Sequence, residues 1–281
     1  MNRPKPPNIV FILVDQMRGD CISSLGHPVV KTPNLDEMIK KGMAFTSAYS
    51  TCPSCIAARA SIFTGMYPTT HGRLGYRDRI PWRYENTLAQ VLADAGYQTH
   101  CVGKTHFYPQ RLPLGFESQD SYEATQNFGD GYVNDYAQWL AERTKVQETD
   151  AGLDFNSWVG GTSVLPEELH NSSWVTTKGI DFLKRRDSSR PFFINLSFHR
   201  PHAPLDPPKE YLELYRDSTI PPVPVGDWAA RHDAPVLDES AWQGRLTQEE
   251  LSESHRSYYA LITHIDAQIG RFRKELELMN L

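Results

Sequence analysis

The chain has 281 residues, long enough to bury a substantial core as one large domain or two small ones. Its 40% hydrophobic and 22% charged residues are those of an ordinary soluble globular protein. The net charge of −5 argues against nucleic acid as a partner, so an anionic ligand must be held by a local cluster of positive groups. No apolar run is long enough to span a membrane. The short, proline-rich start from Met1 to Pro7 has no signal-peptide core, and four cysteines without a disulfide framework fit a reducing compartment. Together these features read as cytoplasmic.

Asn8 to Val14 is a continuous apolar run rich in Ile and Val, which predicts a buried parallel strand ending at Asp15-Gln16. Ligands collect at the carboxyl ends of strands in open α/β sheets, so that end suits a site. Thr32 as N-cap and Pro33 at the first helical position start a helix that Gly42 ends. Met43 to Tyr49 reads as a short strand. It feeds the stretch Thr51 to Gly65, where a Pro-Ser loop runs into a small, alanine-rich segment. That segment predicts a short helix with Ser54 as N-cap and Cys55 in the first turn, where free backbone N–H groups favour an anion. Arg59 lies one turn on, on the same face. Two other readings stay open on the residues alone: Cys55 as a small packing residue, and Cys52 with Cys55 as a C-x-x-C redox pair.

Glu85 to Ala95 predicts a helix, and Tyr97 to Val102 a strand ending at Gly103-Lys104-Thr105-His106. Lys104 offers a charge and His106 a hydrogen bond at that strand end. Phe107 to Gly161 has weak periodicity and reads as loop that walls a substrate pocket. A helix from Trp174 to Arg186 precedes a buried strand, Pro191 to Phe198, which ends in His199-Arg200-Pro201-His202-Ala203-Pro204. Ser218 to Gly244 reads as another loop. Thr247 and Glu250 then form a capping box for a long amphipathic helix reaching Met279, with His264 and Asp266 as structural residues within it. This alternation of strands and helices predicts an α/β fold with a largely parallel sheet.

Cys55 to Arg59, followed by Ala60-Ser61-Ile62-Phe63-Thr64-Gly65 and Tyr67-Pro68-Thr69-Thr70-His71-Gly72, resembles the signature of the type I sulfatases. One position departs: Ala57 stands where the family usually has proline, and alanine is a variant there. The departure bears on which maturation system acts on the cysteine. The resemblance runs from Asn8 to the last residue through four separated elements in family order. It implies an alkaline-phosphatase-like α/β catalytic domain and a cysteine oxidised to formylglycine, whose hydrate is the nucleophile. By the same resemblance Asp15 matches the first acidic metal ligand and Gln16 replaces the second, as in some relatives including phosphonate monoester hydrolases. The metal site would comprise Asp15, Gln16 and the modified Cys55, holding a divalent cation, Ca2+ with Mg2+ as the alternative. Arg59, Lys104, His106 and His202 would position the sulfate and offset its charge.

The expected activity is therefore that of a sulfatase, an arylsulfatase-like hydrolase of a small-molecule or saccharide sulfate ester, with a formylglycine-generating maturase as partner. Phosphonate or phosphodiester hydrolysis on the same fold is the alternative within enzymes. Gln16 favours it, while Lys104 and His106 oppose it. A non-catalytic binding protein or a redox protein is the alternative from another class. The family completes its metal site on a strand after the last helix. Residues 8–281 are therefore expected to be the N-terminal portion of one catalytic domain, lacking its C-terminal part, binding metal weakly and inactive alone.

Overall fold

The computed structural model describes residues 6–123, 131–154, 156–223, 225–232 and 246–281. In chain order the principal elements are β1 (Ile9–Asp15), α1 (Pro33–Lys41), α2 (Cys55–Thr64), α3 (Pro68–His71) and α4 (Leu88–Asp94). There follow β2 (Gln98–Gly103), β3 (Ser118–Ser121), α5 (Asp135–Ala141), α6 (Asn171–Arg185), β4 (Phe192–Pro201), α7 (Lys209–Glu213) and α8 (Gln248–Leu278). The strands form one sheet in the order β1-β4-β2-β3, with every pairing parallel.

Both faces of the sheet are covered, which is why β4 is buried along its whole length and carries apolar side chains on both faces. Side chains alternate across a strand, and β4 divides accordingly. Phe192, Ile194, Leu196 and Phe198 enter a core with Trp174 and Val175 of α6 and Ile265, Ile269 and Phe272 of α8. Phe193 points the other way, into a core with Ile56, Ala60 and Phe63 of α2 and with Phe107 and Phe116. Each fully buried side chain of this size contributes roughly 1.5–3 kcal/mol. Gly179 lets α6 come close, since a Cβ there would lie 2.7 Å from Leu196 and 3.0 Å from Phe272.

Helix ends follow sequence chemistry in part. Thr247 and Glu250 form the full reciprocal capping box of α8. Ser54 and Thr32 occupy their N-cap positions, but neither side chain makes a capping bond. The start of α1 is satisfied from elsewhere: Asn34 N and Leu35 N donate to the carboxylate of Asp266 on α8, at 3.1 and 2.7 Å. Asp266 is thus the structural residue its position in the sequence suggests.

Two expectations need correction. Met43 to Tyr49 forms no strand. Met43, Phe45 and Tyr49 are 78%, 77% and 89% exposed, and the segment pairs with none of the four strands. The 107–161 segment is not wholly loop, because it supplies β3 and α5. Ser-Gln-Asp-Ser carries no apolar period, so only its pairing with β2 reveals it as a strand. Of the 218–244 loop, residues 224 and 233–244 lie outside the described residues, and Asp227–His232 forms a short 3-10 turn.

His264 is wholly buried on α8, with Nε2 3.1 Å from Ser173 Oγ and its ring edge-on to His170. Burial pushes its pKa from 6.5 down to about 3. The unfolded chain therefore binds a proton that the folded chain refuses, and this residue's effect on stability falls as pH drops from about 6.5 towards 3. Urea unfolding across that window should show a smaller pH slope for His264→Phe than for the parent. Equal slopes would show that His264 does not contribute in this way.

Candidate active site

The order β1-β4-β2 places three strand ends side by side. Asp15 closes β1, Lys104 follows β2, and the His199–His202 run spans the end of β4. α2 points its first turn at the same edge, with Cys55 as its first residue. Cys55 is half-buried, and the charges acting on its sulfur are those of Lys104, Asp15 and Arg59. The crossover between β1 and β2 thus carries the sulfur to the carboxyl end of the sheet, as open α/β folds do with ligand sites.

Arg59 holds this corner together. Its Nη1 donates to the carbonyl of Lys104 at 2.6 Å and to Ser197 Oγ at 2.9 Å, while Nη2 donates to Asp15 Oδ2 at 3.0 Å. One guanidinium therefore joins α2 to β1, β2 and β4. Lys104 Nζ lies 2.8 Å from the same Asp15 oxygen. Flanked by Lys104 and Arg59, Asp15 is held well below the ordinary carboxylate range although burial opposes ionisation. Two cations face one carboxylate, which leaves the cluster with one excess positive charge.

Lys104 sits at the strand end that the sequence gives it, but it is buried: its side chain is only 4% exposed. Gly103 makes the turn possible at φ +93°, where a Cβ would meet the Ser197 carbonyl oxygen at 2.0 Å. The loop that follows is pinned by Glu123. Its Oε1 accepts from Thr105 N at 2.5 Å, Thr105 Oγ1 at 2.6 Å and His106 N at 2.8 Å. His106 itself takes the left-handed conformation at φ 61°. Its Nε2 lies 3.7 Å from Asp78 Oδ1, and Tyr76 packs edge-on at 5.9 Å between ring centres.

Burial, reinforced by Lys104 and Arg59, holds His106 neutral well below its usual pKa. His202 is likewise pushed down to about 4, by burial first and by Lys104 second. Its Nδ1 sits 2.8 Å from the Ala203 carbonyl, and its ring is 4.7 Å from that of His199. Both candidate histidines are thus neutral near pH 7, fit to exchange a hydrogen bond rather than to supply charge. Arg200 turns away into the interior. It donates to Asp206 at 2.7 and 3.0 Å and to Glu148 at 3.1 Å, bracing the β4 end from behind.

Gln16 is exposed at the end of β1 in a left-handed conformation, φ 62°, and its carbonyl accepts from the Tyr258 hydroxyl at 2.7 Å. One carboxylate, already shared by two cations, and one amide are a small part of the six to eight oxygens that calcium takes. Among the described residues no three His, Cys, Asp or Glu side chains are grouped to hold a metal. The donor set among the described residues does not complete a cation site.

The structure brings Asp15, Cys55, Arg59, Lys104, His106 and His202 to one edge, with Gln16 beside them. Sequence reasoning missed Glu123, Ser197, Asp78 and Tyr76. Ser197 left a signal, a hydroxyl inside an apolar strand run two residues before His199. Glu123 left none, since it follows a strand with no apolar pattern.

A family model described as Sulfatase matches residues 7–280. An arylsulfatase of Clostridium perfringens is 46% identical over 280 residues, which cover 95% of this chain and 58% of that protein. The multifunctional alkaline phosphatase superfamily protein PehA of Trinickia caryophylli is 29% identical over 305 residues, covering 94% and 58%. The crystal structure of a phosphonate monoester hydrolase of Agrobacterium radiobacter superposes with a TM-score of 0.80 at 24% identity, over 98% of this chain and 60% of that one. The chain thus spans little more than half the length of these relatives. No helix among the described residues is long and apolar enough to cross a membrane.

Proposed function

The chain belongs to the sulfatase family, and from that membership we propose that it hydrolyses a sulfate ester at the edge where Cys55 meets Arg59, Lys104 and Asp15. The observation that carries the reading is the excess positive charge, fixed in place by the bonds of Arg59, beside the first turn of α2. Lys104 and Arg59 hold the sulfate oxygens and offset the charge that develops on them, and neutral His106 and His202 hydrogen-bond the ester and its leaving oxygen. Asp15 keeps both cations in position. Asp15 and Gln16 supply part of a divalent-metal site whose remaining ligands come from outside the described residues.

As a thiol, Cys55 is a poor nucleophile, because burial pushes its pKa up despite the cations nearby. That disfavours the C-x-x-C redox reading. Oxidised by a maturase to formylglycine and hydrated, position 55 would attack sulfur through one hydroxyl as the ester S–O bond breaks and the alcohol leaves with a proton. Deprotonation of its second hydroxyl would then break the carbon–oxygen bond to the bound sulfate, releasing sulfate and restoring the aldehyde. Residues 8–281 are on this reading the N-terminal portion of one catalytic domain, supported by the 58% coverage of the relatives. Gln16 favours a second reading, phosphonate monoester hydrolysis.

Turnover of an aryl sulfate, an aryl phosphate and a phosphonate monoester by the matured full-length protein that carries these residues separates the two readings. Sulfate should be the best substrate. Lys104→Met, which keeps the buried volume, should lower kcat/KM on aryl sulfate by about 10²–10³. A phosphonate preference, or near-normal turnover by Lys104→Met, would remove the sulfate assignment.

A further inference from the structure

Beyond the reacting edge, the segment after α3 encloses a cleft of about 560 Å³, the size of a site for a ring-sized ligand. Its walls include His71, Arg73, Tyr76, Arg77, Arg83 and Tyr84, and among the described residues the nearest carboxylate is that of Asp78, which accepts from the Tyr76 hydroxyl rather than lining the cleft. In a chain of net charge −5, three guanidinium groups around one cleft are a concentrated positive field.

Arg73 is the built part of this site. It is 7% exposed, stacked on Trp82 at 4.8 Å, and donates from Nε to the Tyr84 hydroxyl at 2.8 Å and from Nη2 to the Ile80 carbonyl at 2.9 Å. All its partners among the described residues are neutral, so its charge has no carboxylate to balance it, and its Nη1 makes no hydrogen bond among them. Burying a cation this way is costly unless an anion completes it. Arg77 and Arg83 are exposed on the same walls, with neither a hydrogen bond nor an ion pair among the described residues.

The cleft adjoins the reacting edge through Tyr76. That side chain lines the cleft, packs edge-on against His106 and donates its hydroxyl to Asp78, the residue facing His106 Nε2. The cleft of aromatic rings and guanidinium groups thus lies one side chain away from His106.

We propose that this cleft is a second anion subsite, which selects sulfate esters whose alcohol part is a ring bearing a further carboxylate or sulfate. Arg73 supplies the fixed charge, Arg77 and Arg83 close on the second anion, and Tyr76 and Tyr84 flank the ring. The choice of substrate class rests on the sulfatase reading, whereas anion binding in the cleft does not.

The test is calorimetric titration with two unreactive probes, benzene-1,3-disulfonate and benzenesulfonate, which needs no turnover. The parent protein should bind the disulfonate about tenfold or more tightly than the monosulfonate, the factor carried by one charge-assisted hydrogen bond. In the double variant Arg77→Gln/Arg83→Gln that ratio should fall to about one, with Arg73 left intact because its buried bonds hold the segment. An unchanged ratio in the variant would overturn the subsite, as would displacement of the disulfonate by inorganic sulfate at equal concentration. If no sulfate ester is turned over but the ratio behaves as stated, the subsite stands and the sulfatase reading falls.

Discussion

Replacing Cys55 by alanine in the matured full-length protein should reduce aryl sulfate turnover by roughly 10⁴-fold or more, the scale seen when a nucleophile is removed. The fold should barely notice. Cys55 is half-buried at the first position of α2, and alanine is the better helix former. The free energy of unfolding should therefore move by no more than about 1 kcal/mol. Steady-state kinetics with urea unfolding on the same preparation checks both halves. A variant that keeps its turnover, or one that loses it by unfolding, would remove Cys55 from the chemistry.

Arg59→Ala should fail in the opposite way, by losing stability and activity together. The guanidinium is 4% exposed and serves three partners on three strands or strand ends. Its removal strands the Lys104 carbonyl and leaves Asp15 with a single cation. Breaking one side of a buried charge pair costs about 3–5 kcal/mol. Lys104 partly compensates, because its Nζ remains 2.8 Å from Asp15, so the lower end of that range is expected. Arg59→Lys should recover some stability but little activity, since an ammonium cannot donate to the Lys104 carbonyl, Ser197 and Asp15 in the fork geometry seen here. Denaturant midpoints and kcat/KM for both variants decide the matter. Normal stability of Arg59→Ala would show that the corner is held some other way.

Much of this arrangement was legible in the chain itself, for identifiable physical reasons. The apolar runs of β1 and β4 and the capping box of α8 are local signals, and each marks an element whose position depends little on the rest of the fold. The signature around Cys55 and the Gly-Lys-x-His element located the candidate side chains, and parallel topology did the rest by bringing their strand ends together. What failed was chemistry that exists only across the fold. Thr32 looked like the cap of α1, yet Asp266 does that work from 232 residues away. Lys104 reads in the sequence only as a charge at a strand end, and the Asp15 and Arg59 contacts are what reveal a buried charge cluster. Glu123, which shapes the Lys104–His106 loop, follows a strand that no periodicity announces. The run Met43 to Tyr49 has strand-like composition, but its large apolar side chains stay exposed and it pairs with no strand among the described residues, so composition misled.

The most direct test of the whole account is the mass of the peptide carrying residue 55, taken from a preparation whose aryl sulfate turnover has been measured. A digest of active protein should contain that peptide with the cysteine replaced by an aldehyde, resistant to thiol alkylation, and the modified fraction should rise in proportion to turnover across preparations from hosts with and without a maturase. Full turnover from protein whose Cys55 is entirely alkylatable thiol would contradict the account.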